Sequence, residues 1–449
     1  MPGGSRSQIF RANALFKRVL DPERMQAEAR AAKFVQRQRI ADASSIFWAL
    51  VVTLGSQTTQ YVSDVLRTLN YQRGWSLRYK PFWNRLSKPA FARFMRETFQ
   101  RLCADLVVRV LRKQPHAGAF FSDIFIDDGT SLGVADGLQQ VFPGRFTRLK
   151  PAAVELHARM SLFRDQMVSV KLAPDKEGER QFLPRPDQLA PRSLSLRDRG
   201  YLDLNYFQQL QKQKTEAYVI CRVRKSINPI VRSVQGVARS LARRWKGKYL
   251  ADIPLAKLKD GAEFRVAFKR KDAIVELRLV LRKIPPNRRR GPKRPFKKRP
   301  PPRATWLYLL TNLPKAQFKT DDVISLYRLR WQIELAFKDW KSYSSLRALQ
   351  SENPAIVEGL IWAALCAAFL KRALAHWAQL VHRRAISTRI SAQSGPHILP
   401  MMVDWVAHQT LATKLARVFQ YLAENAPRAH PERDKKRPQD ALGFVFALS

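Results

Sequence analysis

The sequence predicts a multidomain α/β (α+β) protein with a mixed-sheet core, a β-strand insertion in that core, and helical regions before and after it. Three observations predict this class. The 449 residues are too many for one ordinary hydrophobic core, so two or three domains are expected. Near both ends of the chain, apolar residues recur three and four apart, as in amphipathic helices. In the middle, short apolar runs and runs of alternating polarity predict strands.

The N-terminal region, residues 1–115, is predicted to be helical. The segment SSIFWALVVTLG is almost wholly apolar. From Pro89 to Leu111, apolar residues recur at helical spacing, namely Phe91, Met95, Leu102, Leu106 and Val110. We therefore expect several helices that pack through apolar faces.

The sheet core is predicted over residues 116–213 and 304–350. In its first part FFSDIFIDDGT, the run from Val154 to Met160 and MVSVKL suit strands, and a turn at DRGY leads to a helix beginning at Leu204. In its second part ATWLYLLTNLP suits a strand, and a helix with one apolar and one charged face follows it. Strands followed by helices are typical of an α/β core.

The range between these parts, residues 214–303, is predicted to be a β-rich insertion. YVICRVR, EFRVAFKR and IVELRLVLRK carry apolar residues that alternate in twos. The insertion closes with NRRRGPKRPFKKRPPPR at residues 287–303, which has no acidic residue and predicts a flexible basic arm. An arm lying along phosphates is favoured because the next strand is close, and an inert solvated linker is the alternative.

The C-terminal part is divided into a helical region, residues 351–425, and a polar tail, residues 426–449. The apolar segment LIWAALCAAFL, from Leu360 to Leu370, falls short of the ~20 residues that a membrane-spanning helix needs. It therefore predicts a buried helix and no membrane partner. The N-terminus carries no apolar signal-peptide core, and the three cysteines offer no disulfide framework, so a cytoplasmic protein is expected.

The charge of the chain predicts a polyanionic partner. Lys and Arg number 81 against 36 Asp and Glu, which gives a net charge of +45 spread along the whole length. Such an excess repels itself unless a polyanion neutralises it, so nucleic acid is the favoured partner. An Arg-rich compositional bias is the alternative for part of the excess. The histidines form no HExxH or HxH cluster, which argues against a histidine-ligated metal.

One segment, YRLRWQIELAFKDWK, combines two faces if it is helical. At about 100° per residue, four polar side chains lie within roughly 60° of one another: Tyr327, Arg330, Glu334 and Lys341. The other side is apolar and consists of Leu326, Leu329, Ile333, Ala336 and Trp340. A carboxylate flanked by two cations and a phenol suits a site that holds a metal ion and a phosphate.

Two further acids follow predicted strands, at the ends where an α/β sheet presents reactive groups. Asp128 follows SDIFID, and Asp198 follows SLSL. With Glu334 they form the minimum set of carboxylates for two hard cations bridged by a phosphodiester. Asp127 adjoins Asp128, and successive residues of a strand point to opposite faces, so only one of the two is expected to bind metal.

The chain resembles the DDE transposases of insertion-sequence family four, whose catalytic core is ribonuclease-H-like. That family's signature on the helix of the third acid is Tyr, two residues, Arg, three residues, Glu, six residues, Lys, and the segment above satisfies every interval. Asp128-Gly129-Thr130-Ser131 is similar to the family's turn at the first acid, which selects Asp128 over Asp127. Asp198-Arg199-Gly200-Tyr201 is similar to the turn at the second acid.

The resemblance implies an enzyme that cleaves and transfers DNA strands at the terminal inverted repeats of an insertion sequence, by a cut-and-paste route that in relatives can include a hairpin. It implies that Asp128, Asp198 and Glu334 hold two Mg²⁺ or Mn²⁺ ions. The implied DNA-binding residues are Tyr327, Arg330, Lys341, Trp306, Arg199, Trp331 and Lys338. The helical N-terminal region is expected to bind the repeats. The implied partners are double-stranded DNA and a second copy of the chain in a synaptic complex, associated with the nucleoid.

Alternatives remain open for two aromatic residues and for the function. Trp306 begins the strand after the insertion, where relatives stack a Trp on a flipped base, and a core aromatic is the alternative. Trp331 is either a second aromatic near DNA or a packing residue. A non-catalytic DNA-binding descendant would have lost at least one acid. A ribonuclease-H-like nuclease without strand transfer would not need the Tyr, Arg, Glu, Lys interval.

Overall fold

The structure is a computed structural model that describes residues 3–37, 40–56, 61–108, 111–113, 120–146, 148–213, 215–270, 273–284, 305–346, 350–408, 412–428 and 444–446. The predicted basic arm at residues 287–303 and most of the polar tail lie outside these residues. The arm therefore stays a prediction.

The described helices and strands follow one another along the chain as mainly helix, then mainly strand, then helix. The helices are α1 (Gly3–Val19), α2 (Pro22–Ala31), α3 (Ala43–Gly55), α4 (Val62–Arg73), α5 (Tyr79–Leu86), α6 (Pro89–Asp105), α7 (Leu204–Lys212), α8 (Arg239–Trp245), α9 (Thr320–Arg328), α10 (Trp331–Tyr343), α11 (Pro354–His382), α12 (Thr388–Gln393), α13 (Gly395–Ala407) and α14 (Ala412–Asn425). The strands are β1 (Leu111–Lys113), β2 (Asp123–Gly133), β3 (Ala153–Ser161), β4 (Gln166–Pro174), β5 (Ser193–Arg197), β6 (Tyr218–Arg222), β7 (Ile230–Gln235), β8 (Glu263–Lys269), β9 (Ile274–Ile284), β10 (Thr305–Thr311) and β11 (Phe444–Phe446).

One large mixed sheet forms the centre of the protein, with the strand order β4-β3-β2-β5-β6-β10-β9-β8-β7. β3 pairs antiparallel with both β2 and β4, whereas β5 pairs in parallel with β2 and with β6. The first five core strands therefore lie in the order 3-2-1-4-5, with only the second strand reversed. This is the topology of a ribonuclease-H-like core, and it confirms the fold class that the resemblance implied.

The insertion continues this sheet. β7, β8 and β9 form an antiparallel meander, and β10 lies between β9 and β6, antiparallel to both. β6 falls within the range predicted as insertion, but its parallel pairing with β5 makes it the fifth core strand. The insertion between core elements therefore begins after Arg222, a boundary that local alternation could not indicate.

Helices from both ends of the chain form one helical body around α11. This helix packs against α3 and α6 from the N-terminal region and against α14 from the C-terminal region. By length and composition alone α11 could cross a membrane, but 83% of its most apolar stretch is buried inside the protein. The predicted buried helix is confirmed, and α11 is the core helix of the body.

The predicted apolar stripe of α6 is buried, including Phe91, Met95 and Leu102. The helix is shorter than its stripe predicts. It ends at Asp105, because Leu106 leaves the helical region with φ −91° and ψ 66°, and β1 begins at Leu111.

Candidate active site

The segment with the predicted signature forms two helices, not the single helix expected. α9 ends at Arg328 and α10 begins at Trp331. Between them the amide of Arg330 donates to the carbonyl of Tyr327 at 3.1 Å, an i to i−3 bond that tightens the turn in the manner of a 3₁₀-helix. The apolar stripe survives this break, and its five members are all buried: Leu326, Leu329, Ile333, Ala336 and Trp340.

The first two acids lie next to each other across neighbouring parallel strands. β2 pairs with β5 as far as Asp127 opposite Arg197. Asp128 and Asp198 are the residues that directly follow this last pair. Asp198 follows the end of β5, as predicted. Asp128 does not end its strand, because β2 continues along β3 to Gly133. It lies at the carboxyl end only of the parallel part of the sheet.

Asp127 is engaged elsewhere. Both of its carboxylate oxygens accept hydrogen bonds from Arg159, at 2.7 and 2.9 Å, and Oδ2 also accepts from Arg197 at 3.1 Å. The residue is only 4% exposed. Because neighbouring residues of a strand face opposite ways, this arrangement leaves Asp128 on the other face of the sheet.

The guanidinium of Arg330 joins Asp128 to Glu334. It donates to Asp128 Oδ2 at 2.6 Å and also forms an ion pair with Glu334, one turn further along α10. Burial raises the pKa of Asp128 to about 7, Arg330 lowers it, and the charges of Asp198 and Glu334 raise it again. The three predicted acids are therefore close enough to influence one another, and one cation connects two of them.

Two buried polar atoms at the site have no hydrogen-bond partner among the described residues. One is Asp198 Oδ1, whose nearest cation is Arg222 at 3.8 Å, and the other is the hydroxyl of Tyr327. Burial, and then the charge of Asp198, raises the pKa of Tyr327. Buried polar atoms of this kind are normally satisfied, so both are suited to a ligand.

The donor set fits a divalent cation, although the side chains do not yet converge on one point. Asp128, Asp198 and Glu334 offer only carboxylate oxygens, which hard cations prefer. Across the described ranges, no group of three acids, histidines or cysteines is arranged to hold an ion as it stands. Arg330 lies between two of the three acids and supplies a positive charge there.

The other predicted residues surround this centre to different degrees. Lys341 donates to the carbonyl of Ser131 at 3.0 Å, on the same strand β2 that carries Asp128. Trp331 is 56% exposed at the start of α10, and Arg199 and Lys338 are also exposed. Trp306 is half-buried on β10, and Lys283 Nζ lies 5.2 Å from its ring centroid. Its indole is therefore neither fully buried in the core nor fully exposed to solvent.

A polar network that the sequence did not predict supports the turn of Asp198. Arg145 pairs with Glu155 at 2.7 Å and with Glu179 at 3.7 Å. Glu179 lies against Gly200, where a Cβ would be 1.3 Å from its Oε2, and so any side chain at position 200 would displace it. Burial raises the pKa of Glu155 to about 7, and Arg145 opposes this rise. The alternation of Glu155, His157 and Arg159 on β3 is the one sequence signal for a polar sheet face.

A ribonuclease-H-like sheet with three acids grouped beside its parallel strands defines the class of metal-dependent nucleases and polynucleotidyl transferases. Within that class the comparison with known families is specific. Residues 119–370, more than half of the chain, match the family described as Transposase DDE domain, and the chain belongs to that family. It is an insertion-sequence transposase of the DDE type, as the resemblance implied, and divalent-metal dependence is general in that family.

Two sequence relatives agree with this assignment. The chain is 24% identical over 355 residues to the transposase of insertion sequence element IS231F from Bacillus thuringiensis subsp. israelensis, covering 73% of each chain. It is 50% identical over 62 residues to the putative transposase InsL of IS186A from Escherichia coli K12, covering 14% of this chain and 17% of that one. Among solved structures, the piggyBac transposase synaptic complex with hairpin DNA has a TM-score of 0.43 at 11% identity, covering 94% of this chain and 86% of that one.

Proposed function

We propose that this transposase binds the terminal inverted repeats of its own insertion sequence, cuts a strand at each repeat boundary and joins the freed 3′ end to another strand. One observation carries the proposal. Asp128 and Glu334 reach a single guanidinium beside Asp198, although Arg330 and Asp128 are 202 residues apart in the chain. This arrangement supports a joint role for the three acids, with Arg330 as the proposed phosphate-binding cation.

Asp128, Asp198 and Glu334 are the proposed ligands of two Mg²⁺ or Mn²⁺ ions. Bound there, the ions activate the attacking oxygen and offset the negative charge of the phosphate. Arg330 has to release its two carboxylates before they can turn to a metal ion. A DNA phosphate is an anion that its guanidinium can bind instead, in the same bidentate manner.

The phosphate next to the cleaved bond is held by Tyr327, Arg330 and Lys341 in this proposal. The Tyr327 hydroxyl is buried beside Asp198 and has a free hydrogen to donate to a phosphate oxygen. Arg199 and Lys338 are exposed and contact neighbouring phosphates. Contacts of this type fix the register of the duplex but do not read its sequence.

The aromatic residues Trp306 and Trp331 contribute stacking. Trp306 keeps part of its indole exposed at the start of the strand after the insertion, which suits a base rotated out of the duplex. Trp331, 56% exposed next to Arg330, lies where it can contact a sugar or base close to the cut. Stacking on an indole offsets part of the cost of unstacking a base.

The proposed chemistry has two steps. In the first, the oxygen of a water attacks phosphorus at the repeat boundary, the bond from phosphorus to the 3′ oxygen breaks, and that oxygen takes a proton. In the second, the same 3′-hydroxyl loses its proton and attacks another phosphorus, in the opposite strand to form a hairpin or in target DNA, and displaces a 3′ oxygen there. Two repeat ends must be held together, so two copies of the chain act as a homodimer on DNA in the nucleoid.

The test is a cleavage assay on a duplex that carries the element's own repeat ends. The purified chain should bind this duplex in Ca²⁺ and nick it in Mg²⁺ or Mn²⁺, leaving a 3′-hydroxyl at the repeat boundary. Binding without nicking under every metal would show a non-catalytic descendant. Nicking without any later hairpin or strand-transfer product would show a nuclease. Either result contradicts the proposal.

A further inference from the structure

Each of the first two acids is followed by a glycine, and each of these glycines lies against a glutamate. Gly129 comes directly after the first acid, and a Cβ on this residue would be 2.5 Å from Glu155 Oε1. Gly200 comes two residues after the second acid, and a side chain there would overlap the carboxylate of Glu179. The backbone that follows each acid is therefore packed against a carboxylate.

Arg145, between β2 and β3, joins these two glutamates. Its Nη2 donates to Glu155 Oε2 at 2.7 Å, and its Nη1 lies 3.7 Å from Glu179 Oε1. Its Nε donates to the carbonyl of Asp175 at 3.2 Å, and its backbone amide donates to the carboxylate of the same residue at 3.1 Å. All three guanidinium nitrogens are thus engaged, although the side chain is 41% exposed. The arginine is held by the end of β4 and bridges the two carboxylates.

Tyr201 connects the backbone after the second acid directly to β2. Its hydroxyl would be 3.2 Å from a Cβ on Gly129, and it lies 3.2 Å from His157 Nδ1 on β3. The tyrosine is buried. Because successive residues of a strand point to opposite faces, the contacts of Gly129 are on the other face of β2 from the side chain of Asp128. These contacts therefore act on the first acid through its backbone.

Strand pairing alone does not set the distance between the first two acids. The ladder between β2 and β5 ends with Asp127 opposite Arg197, one residue before each acid. Beyond that pair β2 continues along β3, whereas the other chain enters a 3₁₀ turn at Arg199–Tyr201. The side-chain contacts that meet at Arg145 span the two diverging segments just past the ladder.

We propose that Arg145 is a positioning residue of the active site, which sets the separation of Asp128 and Asp198. It does so through Glu155 and Glu179, which press on the backbone after each acid. Two metal ions that act on one phosphate lie about 3.5–4 Å apart, so their ligands tolerate little displacement. This inference rests on the proposed catalytic role of the acids and adds the residue that keeps two of them at a working distance.

The test is the variant Arg145→Lys, which keeps the positive charge and loses the planar fork that engages two carboxylates. Its kcat for nicking a repeat-end duplex in Mg²⁺ should fall at least about tenfold, because a displacement of about 1 Å in an active site can cost about 100-fold. Its KM for the duplex should change less than about twofold, because the charge that DNA meets is unchanged.

A second readout does not depend on activity. Mn²⁺ binding to the purified protein, followed by electron paramagnetic resonance, should be at least about threefold weaker in Arg145→Lys, because carboxylates at the wrong distance share an ion poorly. The urea midpoint of unfolding should stay close to that of the wild type, since a lysine still pairs with the buried Glu155. A purely structural arginine would give the opposite pattern, namely a lower midpoint and an unchanged Mn²⁺ affinity of the folded protein.

Arg148→Lys is the matched control, because it makes the same substitution at an exposed arginine between the same two strands. It should keep the wild-type kcat, KM and Mn²⁺ affinity. Glu179→Gln is a second variant that keeps the size of the side chain against Gly200 and removes the ion pair with Arg145. Because Glu179 is only half-buried, this variant should fold, and its kcat should fall at least about threefold with KM unchanged.

Three results would overturn the inference. Arg145→Lys could keep the wild-type kcat and Mn²⁺ affinity, Arg148→Lys could lose as much activity as Arg145→Lys, or the unfolding midpoint could fall while the Mn²⁺ affinity stays the same. If Arg145→Lys does not fold, a wild-type kcat in Glu179→Gln overturns the inference equally. A failure of the proposed function is distinct, because it appears in the wild type as an absence of nicking under every metal.

Discussion

Arg330 donates to Asp128 at 2.6 Å and so connects β2 to α10, the helix that carries Glu334. The same guanidinium pairs with Glu334, so both acids share one cation that belongs to the protein. Hydrogen bonds between charged groups each contribute about 1.5–3 kcal/mol. The contact therefore holds the acids together, and it also competes with any cation that binds them.

This competition predicts that removing the guanidinium strengthens metal binding in the absence of DNA. Arg330→Met should bind Mn²⁺ at least about tenfold more tightly than the wild type, because the ion no longer has to displace two charged hydrogen bonds. Mn²⁺ binding is measured by electron paramagnetic resonance on the purified protein. Lys338→Met removes an exposed cation from the same helix and should change the affinity little. Equal Mn²⁺ affinity in Arg330→Met and the wild type would show that the guanidinium does not compete with the metal ion for Asp128 and Glu334.

The two neighbouring aspartates should respond differently to amide substitution. Asp127→Asn leaves Arg197, which is 1% exposed, without its carboxylate, and should lower the free energy of unfolding by about 3–5 kcal/mol. Asp128→Asn should keep the fold and lose nicking. Urea unfolding and the nicking assay on both variants check this pair. If Asp127→Asn were stable but could not nick, and Asp128→Asn were active, then Asp127 would be the catalytic acid and Asp128 the structural one.

Trp306 should matter for processing more than for binding. Trp306→Ala should slow hairpin formation or end processing by about 5- to 150-fold, because a flipped base loses a stacking partner worth about 1–3 kcal/mol. Trp306→Phe, which keeps a π face, should recover part of the rate. Fluorescence of 2-aminopurine placed beside the repeat boundary reports the unstacked base directly. If Trp306→Ala lowered only the unfolding free energy and processed ends normally, the residue would be a packing aromatic.

Lys371 should make stability depend on pH. It is fully buried in α11, and its Nζ donates to the carbonyls of Gly55 at the end of α3 and Ala392 in α12, at 3.0 and 3.1 Å. Burial lowers the pKa of Lys371 to about 7, although Asp339 on α10 acts to raise it. An unfolded lysine titrates near about 10.4, so between these values the unfolded chain binds more protons and stability rises with pH.

The measurement is the free energy of unfolding at pH 7 and pH 9. The wild type should gain roughly 1–3 kcal/mol from this group over that interval, and Lys371→Met should lack this gain. Lys338→Met, an exposed lysine on α10, should keep it. A Lys371→Met variant with the same pH dependence as the wild type would mean that the folded protein holds this lysine charged throughout.

The sequence predicted those parts of the fold that local pattern controls. Residue spacing alone predicts the strands around Asp128 and Asp198 and the apolar stripe from Leu326 to Trp340. Each of these features depends on a pattern that is visible within a short stretch of sequence. The break at Arg330 was missed because a single 3₁₀ turn hardly changes the helical period. The resemblance supplied the topology, since strand order depends on pairing between distant segments.

Other features depend on contacts that no local pattern encodes. The two terminal helical regions share one body because α11 packs on α6, more than 200 residues earlier in the chain. The Arg145, Glu155 and Glu179 network joins two loops and a strand, and each of its members alone looks like an ordinary solvated charge. The opposite facing of Asp127 and Asp128 was expected, but the two arginines that engage Asp127 could be identified only in three dimensions.

The central claim is that Asp128, Asp198 and Glu334 act together as the catalytic acids. The most direct measurement is the nicking rate of a repeat-end duplex in Mg²⁺ by Asp128→Asn, Asp198→Asn and Glu334→Gln, with binding of the same duplex measured in Ca²⁺. Glu276→Gln is the control, because Glu276 is a carboxylate of the insertion that pairs with Arg232 and Arg265. Each of the three variants should bind the duplex and nick it on the order of 10³-fold more slowly than the wild type, and the control should nick normally. Near wild-type nicking by any one of the three would contradict the claim.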